Sequence, residues 1–183
     1  EVLWQKGSAT VAEVAGAPTL LLGSHLDTVR DAGRYDGPLG VLAGIAVVER
    51  LAARGEPPAF AVEVVGFADE EGVRFGTAYL GSNVAAGRFD PDCLRLTDED
   101  GVTMAEAITA AGGDPGALAG DAWNGAGLLG YCELHIEQGP VLEAEGLPVG
   151  VVSAIARKSR IRATLSGEAG HAGTVPMELR RDA

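Results

Sequence analysis

The sequence predicts an α/β domain with a largely parallel twisted sheet flanked by helices, followed by the start of a smaller α+β domain. Three observations lead there. Short apolar, β-branched runs alternate with helical stripes, the rhythm of strands joined by crossover helices. The runs are apolar at successive positions, as in strands buried on both faces. Near Ala156 the pattern changes to polar–apolar alternation, the mark of a strand with one wet face. Residues 1–156 and 157–183 are therefore assigned to separate domains.

Ser8 to Val14 and Thr19 to Gly23 read as two strands separated by Gly16-Ala17-Pro18. Asp31 to Gly37 is a polar, glycine-containing loop, and Pro38 stands where a first helical residue would. Leu39, Val41, Leu42, Ile45, Val47, Val48 and Leu51 then give a helical stripe to about Arg54, ended by Gly55-Glu56-Pro57-Pro58. Phe60 to Phe67 is a central strand. Ala78 to Ala86 and Thr103 to Ala111 read as helices, the second broken by Gly112-Gly113-Asp114-Pro115. Leu129 to Ile136, Val149 to Ile155 and the alternating Arg160 to Ser166 are the remaining strands. No internal repeat is present.

Composition narrows the function. With 14 basic and 26 acidic residues among 183, the formal charge is −12. A field of that sign opposes a nucleic-acid backbone and suits a site that holds cations. No apolar run approaches the ~20 residues of a membrane span. Glu1 to Lys6 lacks the basic-then-apolar order of a secretory signal. Cys93 and Cys132 form no Cys-x-x-Cys pattern, and a reduced cytoplasmic setting is expected.

The chemistry-bearing residues sit at strand ends, where ligands bind in such sheets. His25 follows the strand Thr19 to Gly23, with Asp27 two residues on and on the same side. There the Asp27 carboxylate can take the hydrogen bond of the ring nitrogen that does not bind metal. A surface His-Asp pair in a turn is the plainer alternative. Asp36, just before a helix, is either a ligand or an N-cap. Asp69-Glu70-Glu71 follows Phe60 to Phe67. Three adjacent carboxylates there either form a solvated acidic loop or need a cation to keep their pKa values down. His135 ends another strand, and His135-Ile136-Glu137 repeats the His-x-acid arrangement. Together these ends deliver imidazole and carboxylate without thiolate, the ligand set of a two-metal hydrolytic site. His171 lies in a glycine-flanked turn after the alternating strand.

Five segments in order carry a resemblance: His25-Leu26-Asp27-Thr28-Val29, Gly33-Arg34-Tyr35-Asp36-Gly37-Pro38-Leu39-Gly40, Asp69-Glu70-Glu71-Gly72-Val73-Arg74-Phe75, Glu133-Leu134-His135-Ile136-Glu137-Gln138-Gly139-Pro140 and His171-Ala172-Gly173-Thr174-Val175-Pro176-Met177. From about Thr19 onward the chain resembles the ureido-cleaving branch of the M20 metallopeptidase family, which holds allantoate amidohydrolases, N-carbamoyl-L-amino-acid hydrolases and β-ureidopropionases. Asp27-Thr28-Val29, Phe67-Ala68-Asp69-Glu70-Glu71 and Thr174-Val175-Pro176-Met177 look most like the allantoate enzymes; the carbamoylases more often show Asn-Glu-Glu.

The resemblance implies a cofactor of two divalent ions, zinc or manganese. His25 and His135 would bind the first, Asp36 would bridge both, and Glu71 would bind the second. Glu70 would be the general base, with Asp27 and Glu137 supporting the histidines and Gln138 contacting substrate. His171 would help stabilise the oxyanion across a homodimer formed by the second domain, which in the family is a lid. The first domain would be an incomplete catalytic, metal-binding domain and the second a truncated lid. A small ureido compound is the implied substrate; no nucleic acid or membrane partner is implied. The runner-up is the same chemistry on an N-carbamoyl-L-amino acid or β-ureidopropionate, and a third reading is a non-catalytic metal-binding domain derived from the family.

Three departures stand out. Arg157-Lys158 replaces the family's usual Gly-Gln at the domain junction. Glu1 to Val14 matches poorly. A further histidine for the second metal and an arginine for the substrate carboxylate, both downstream in the family, are not in this chain. The fragment alone is therefore expected not to turn over substrate.

Overall fold

The computed structural model describes residues 17–55, 58–123, 125–156, 159 and 161–182. The strand expected over Ser8 to Val14 lies outside them, as do Arg157 and Lys158. The chain divides into two compact units, residues 1–138 and 139–183. The domain change expected near Ala156 falls within the second.

The first unit is α/β. Strand β1 (Thr19–His25) is central, with β2 (Ala61–Phe67) on one side and β3 (Leu128–Cys132) on the other, all parallel. Helix α1 (Pro38–Arg54) crosses from β1 to β2, while α2 (Leu80–Ala85) and α3 (Met104–Ala110) lie in the longer path to β3. The β1–β2 register is unbroken from Thr19 opposite Ala61 to His25 opposite Phe67. It continues one step further, since Leu26 N donates to Phe67 O at 2.8 Å. The two strands therefore end level, and their following loops emerge side by side.

Helix α1 has the limits its sequence implies. Proline occupies its start, where no amide partner is lost. Gly55 closes it at φ 67, a left-handed C-terminal cap. Gly40 and Gly44, four residues apart and buried, let the helix lie close on the sheet. A Cβ on Gly40 would stand 2.3 Å from Leu134 O and 2.6 Å from Ser24 Cβ. Val48 of α1 packs with Val62 and Val64 of β2, supported by Leu22, Val41, Leu51 and Phe60. Each such aliphatic side chain, once buried, contributes about 1.5–3 kcal/mol.

A second cluster joins Phe75, Leu80, Val84, Met104, Ala107, Ile108 and Leu118 below the loop after β2. Helix α3 begins with a capping box, in which Thr103 Oγ1 accepts from Glu106 N at 3.2 Å and Thr103 N donates to Glu106 Oε2 at 2.8 Å. Strand β3 is held at its exit by side chains. Ser24 Oγ donates to Glu133 Oε1 at 2.5 Å, and Tyr131 Oη lies 3.0 Å from both Gly23 O and Glu133 Oε2.

In residues 139–183, α4 (Val141–Glu145) is followed by Gly146 at φ 66. An antiparallel bridge joins Glu168 and Arg181. Arg180 reaches across the turn before it, donating to Ala172 O at 2.7 Å and Val175 O at 3.3 Å. The strands expected over Val149 to Ile155 and Arg160 to Ser166 are not formed among the described residues. Val151, Ile155 and Ile161 are 97%, 90% and 92% exposed. An extended segment without a neighbouring strand leaves its backbone groups to water and buries nothing, whatever its pattern.

Candidate metal centre

The level ends of β1 and β2 and the exit of β3 bring the sequence-selected residues of the first unit together. His25, the last residue of β1, is 5% exposed. Its Nδ1 lies 2.6 Å from the Asp27 backbone oxygen. A carbonyl only accepts, so Nδ1 carries the hydrogen and Nε2 keeps its lone pair. His135 repeats the arrangement, with Nδ1 2.8 Å from the Ile136 carbonyl oxygen. The free Nε2 atoms face each other at 3.1 Å, and His135 Nε2 is 3.4 Å from Asp36 Oδ1. Two ring nitrogens and a carboxylate at that spacing converge on one point, where a cation can be held between them.

Asp36 is 2% exposed. It is not the cap of α1: Gly37 holds that position at φ 81 and no side chain caps the helix. Its oxygens instead receive Thr28 Oγ1 at 3.1 Å and Gln138 Nε2 at 2.8 Å. Gly37 is required by the packing of His25, because a Cβ there would stand 2.4 Å from Nδ1.

The carboxylate of Asp27 departs from expectation. It is the Asp27 carbonyl that takes the His25 ring hydrogen; the nearer carboxylate oxygen is 4.0 Å away. The two carboxylate oxygens accept instead from Glu70 N at 2.9 Å and Glu71 N at 3.1 Å. For His135, likewise, the Nδ1 partner is a backbone carbonyl, that of Ile136.

Two overlapping groups of ligand atoms result, His25 with Asp36 and His135, and His25 with Glu70 and Glu71, each within 4.8 Å. The donors are nitrogen and oxygen, each histidine is oriented by a carbonyl, and one carboxylate is fully enclosed. This set fits a divalent ion such as zinc or manganese.

The acidic loop is as crowded as its sequence suggests, but burial outranks repulsion. Burial raises the Glu70 carboxyl above its usual range, with further increments from Glu71, Asp27 and Glu133 and an opposing one from His25. Burial, then Asp27, pushes Asp69 up to about 6. Asp69 sits at φ 52, is 6% exposed, and its Oδ2 has no hydrogen-bond partner among the described residues. A cavity of about 40 Å³, lined by Phe75, Leu80, Val84 and Met104 among others, lies against it.

Gln138 is held at φ 56 with its side chain on Asp36. His171 is exposed in the second unit, where its Nδ1 accepts from Gly173 N at 3.1 Å. Sequence reasoning passed over Thr28, Ser24, Tyr131 and Glu133. Glu133 stands two residues before His135, a spacing that puts two strand residues on one side. That was the available signal.

Residues 21–181 match the family described as peptidase family M20/M25/M40. The chain is similar to an N-carbamoyl-L-amino acid amidohydrolase of Geobacillus stearothermophilus, 48% identical over 166 residues, covering 91% of this chain and 41% of that one. It is 45% identical over 167 residues to an allantoate deiminase of Arabidopsis thaliana, covering 89% and 32%. Among solved structures it resembles a hydantoinase/carbamoylase family amidase from Burkholderia ambifaria, with a TM-score of 0.64 and 39% identity over 90% of this chain and 39% of that one. The chain thus spans about two-fifths of the length of the bacterial relative and about a third of the plant one.

Proposed function

The chain belongs to the peptidase family M20/M25/M40, and on that premise we propose that its complete protein is a metal-dependent amidohydrolase that cleaves a ureido carbon–nitrogen bond. The observation that carries this reading is the meeting of His25, Asp36 and His135, with Glu70 and Glu71 beside the same His25. Allantoate is the proposed substrate, giving ureidoglycine, ammonia and carbon dioxide.

A ureido carbonyl is a poor electrophile because two nitrogens donate into it. Divalent zinc or manganese, when bound, would lower the pKa of water from 15.7 toward about 7 and polarise the carbonyl oxygen. His25 and His135 would offer Nε2 atoms whose tautomers are set by the carbonyls of Asp27 and Ile136. Asp36 would bridge, held by Thr28 and Gln138, and Glu71 would ligate the second ion. Glu70 is the proposed general base: it takes a proton from the attacking water and passes it to the leaving nitrogen. Its raised pKa moves it toward the working range of such a base. His171 is proposed to stabilise the oxyanion from a partner subunit in a homodimer formed through the region after Ala156, and Gln138 to contact substrate.

N-carbamoyl-L-amino acids are the second candidate, favoured by the 48% identity to the bacterial amidohydrolase. The test is ammonia release by the complete, metal-loaded protein on both substrates. We expect the higher kcat/KM on allantoate; the reverse order overturns that choice. Glu70→Gln is expected to lower kcat by roughly 10²–10⁴-fold with metal retained. Unchanged turnover would remove Glu70 from the mechanism, whereas no turnover of either substrate by the metal-loaded wild type would leave a non-catalytic metal-binding domain as the better description of these residues.

A further inference from the structure

We propose that Asp27 is a positioning residue for the Glu70-Glu71 pair, and that its carboxylate does not serve the His25 ring. The proposal rests on the functional reading above, in which Glu70 is the base and Glu71 a ligand.

The argument begins with the two strand ends. His25 and Phe67 are register partners, so the segments His25-Leu26-Asp27 and Ala68-Asp69-Glu70-Glu71 leave the sheet together. The second segment makes an abrupt turn, with Asp69 at φ 52 and Gly72 at φ 67. Its carbonyls are tied on the far side: Tyr79 N donates to Glu70 O at 2.9 Å, Leu80 N to Asp69 O at 3.2 Å and Gly81 N to Ala68 O at 3.0 Å. On the near side the successive amides of Glu70 and Glu71 have no backbone partner among the described residues and point at one carboxylate. Asp27 Oδ1 and Oδ2 accept one each, at 2.9 and 3.1 Å. A carboxylate has two acceptor oxygens in a fixed fork, and two adjacent amides fill both.

The division of labour within Asp27 follows. Its carbonyl holds the His25 tautomer at 2.6 Å, so the ring needs nothing from the side chain. One residue thus joins the two groups that share His25 as an apex: its backbone orients the ligand and its carboxylate orients the base. Like charge makes the arrangement unfavourable for the side chains, since Asp27 also opposes ionisation of Glu70. The two amide bonds hold the pair despite that repulsion.

The test uses the complete protein with wild type, Asp27→Asn and Asp27→Glu. An asparagine keeps one acceptor and turns an amide donor toward the other N–H. In the metal-free protein we expect faster hydrogen exchange at the Glu70 and Glu71 amides of Asp27→Asn, with β1 and β2 amides unchanged. In the zinc-loaded protein we expect kcat on allantoate or an N-carbamoyl-L-amino acid to fall roughly 10- to 100-fold, the usual size for a supporting hydrogen bond. KM and the zinc dissociation constant should stay within about twofold, and Asp27→Glu should recover part of kcat. Unchanged exchange at both amides overturns the proposal. So does weaker zinc binding with kcat intact at saturating zinc, which would return the carboxylate to His25. If wild-type protein cleaves neither substrate, the functional reading fails while the exchange comparison still decides what Asp27 holds. Should Asp27→Asn not fold, unprotected Glu70 and Glu71 amides in the wild type overturn the proposal by themselves.

Discussion

Asp69 shows how a residue outside the ligand set reports on the site's electrostatics. Its side chain is buried against apolar Phe75, Leu80 and Val84, and one oxygen has no partner among the described residues. Burial raises its pKa from 3.8 to about 6. A carboxyl whose folded pKa lies above its unfolded value binds more protons when folded. Its contribution is therefore favourable at low pH and is lost as pH rises through the window from about 4 to 6. In metal-free protein Asp69→Asn should abolish that window and raise stability at pH 7 by about 2 kcal/mol, a figure reduced for solvent screening at the loop. Asparagine also tolerates the left-handed conformation that φ 52 demands. Denaturant melts of both proteins from pH 4 to 8 check this; parallel curves would mean that Asp69 is not protonated preferentially in the fold. The three-carboxylate run was legible as crowding. That burial comes first among the causes was not, because it depends on Met104 and Leu118, which meet the loop only in the folded chain.

Helix α1 and the sheet make the same contrast between what a segment states and what its neighbours decide. Its start at Pro38, its end at Arg54 and its β1 and β2 flanks follow from local signals: a proline at the first turn, a glycine after the last, a leucine-rich run before it and a valine-rich run after it. The strands expected over Val149 to Ile155 and Arg160 to Ser166 have equally good local signals and are not formed among the described residues, since pairing is not a local property. Asp27 is intermediate. Its place at the end of β1 is legible, but the amides it meets are chosen by the β1–β2 register. The helix also supplies a paired test. At Gly40 an added Cβ meets Leu134 O at 2.3 Å and Ser24 Cβ at 2.6 Å, so the helix or the exit of β3 must move. At Gly44 the nearest atom is the Val64 Cγ1 methyl carbon at 3.1 Å, and alanine recovers up to about 1 kcal/mol of helix propensity. Gly40→Ala should cost about 1–3 kcal/mol and weaken divalent-metal binding by shifting His135, whereas Gly44→Ala should be near neutral. Equal losses at the two positions would show that close helix–sheet approach near Leu134 does not set the site.

At the scale of the whole molecule, the charge of −12 has a local centre. Asp27, Asp36, Asp69, Glu70, Glu71 and Glu133 are gathered at one edge of the sheet by two parallel strand ends and a third strand's exit. Among the described residues no helix is long and apolar enough to cross a membrane. Two effects of added cations can be separated at that edge. General screening acts on every surface carboxylate and depends on ionic strength alone; the Debye length falls to about 3 Å at 1 M salt. Specific binding would act where His25, Asp36 and His135 converge, and it would stabilise the fold in proportion to the logarithm of free metal over its dissociation constant, about 2.7 kcal/mol at a hundredfold excess. Chelator-treated complete protein should therefore melt several degrees higher when micromolar zinc or manganese is returned. Sodium chloride at matched ionic strength should leave its melting temperature unchanged. His135→Ala should remove the metal response and keep the salt response at high sodium chloride. Because His135 is partly exposed and stacks on His25 with ring centroids 5.3 Å apart, its truncation removes one edge contact and need not unfold the metal-free chain. A metal response that survives His135→Ala would mean that the stabilising ion sits elsewhere among the carboxylates, and the three-residue site would have to be abandoned.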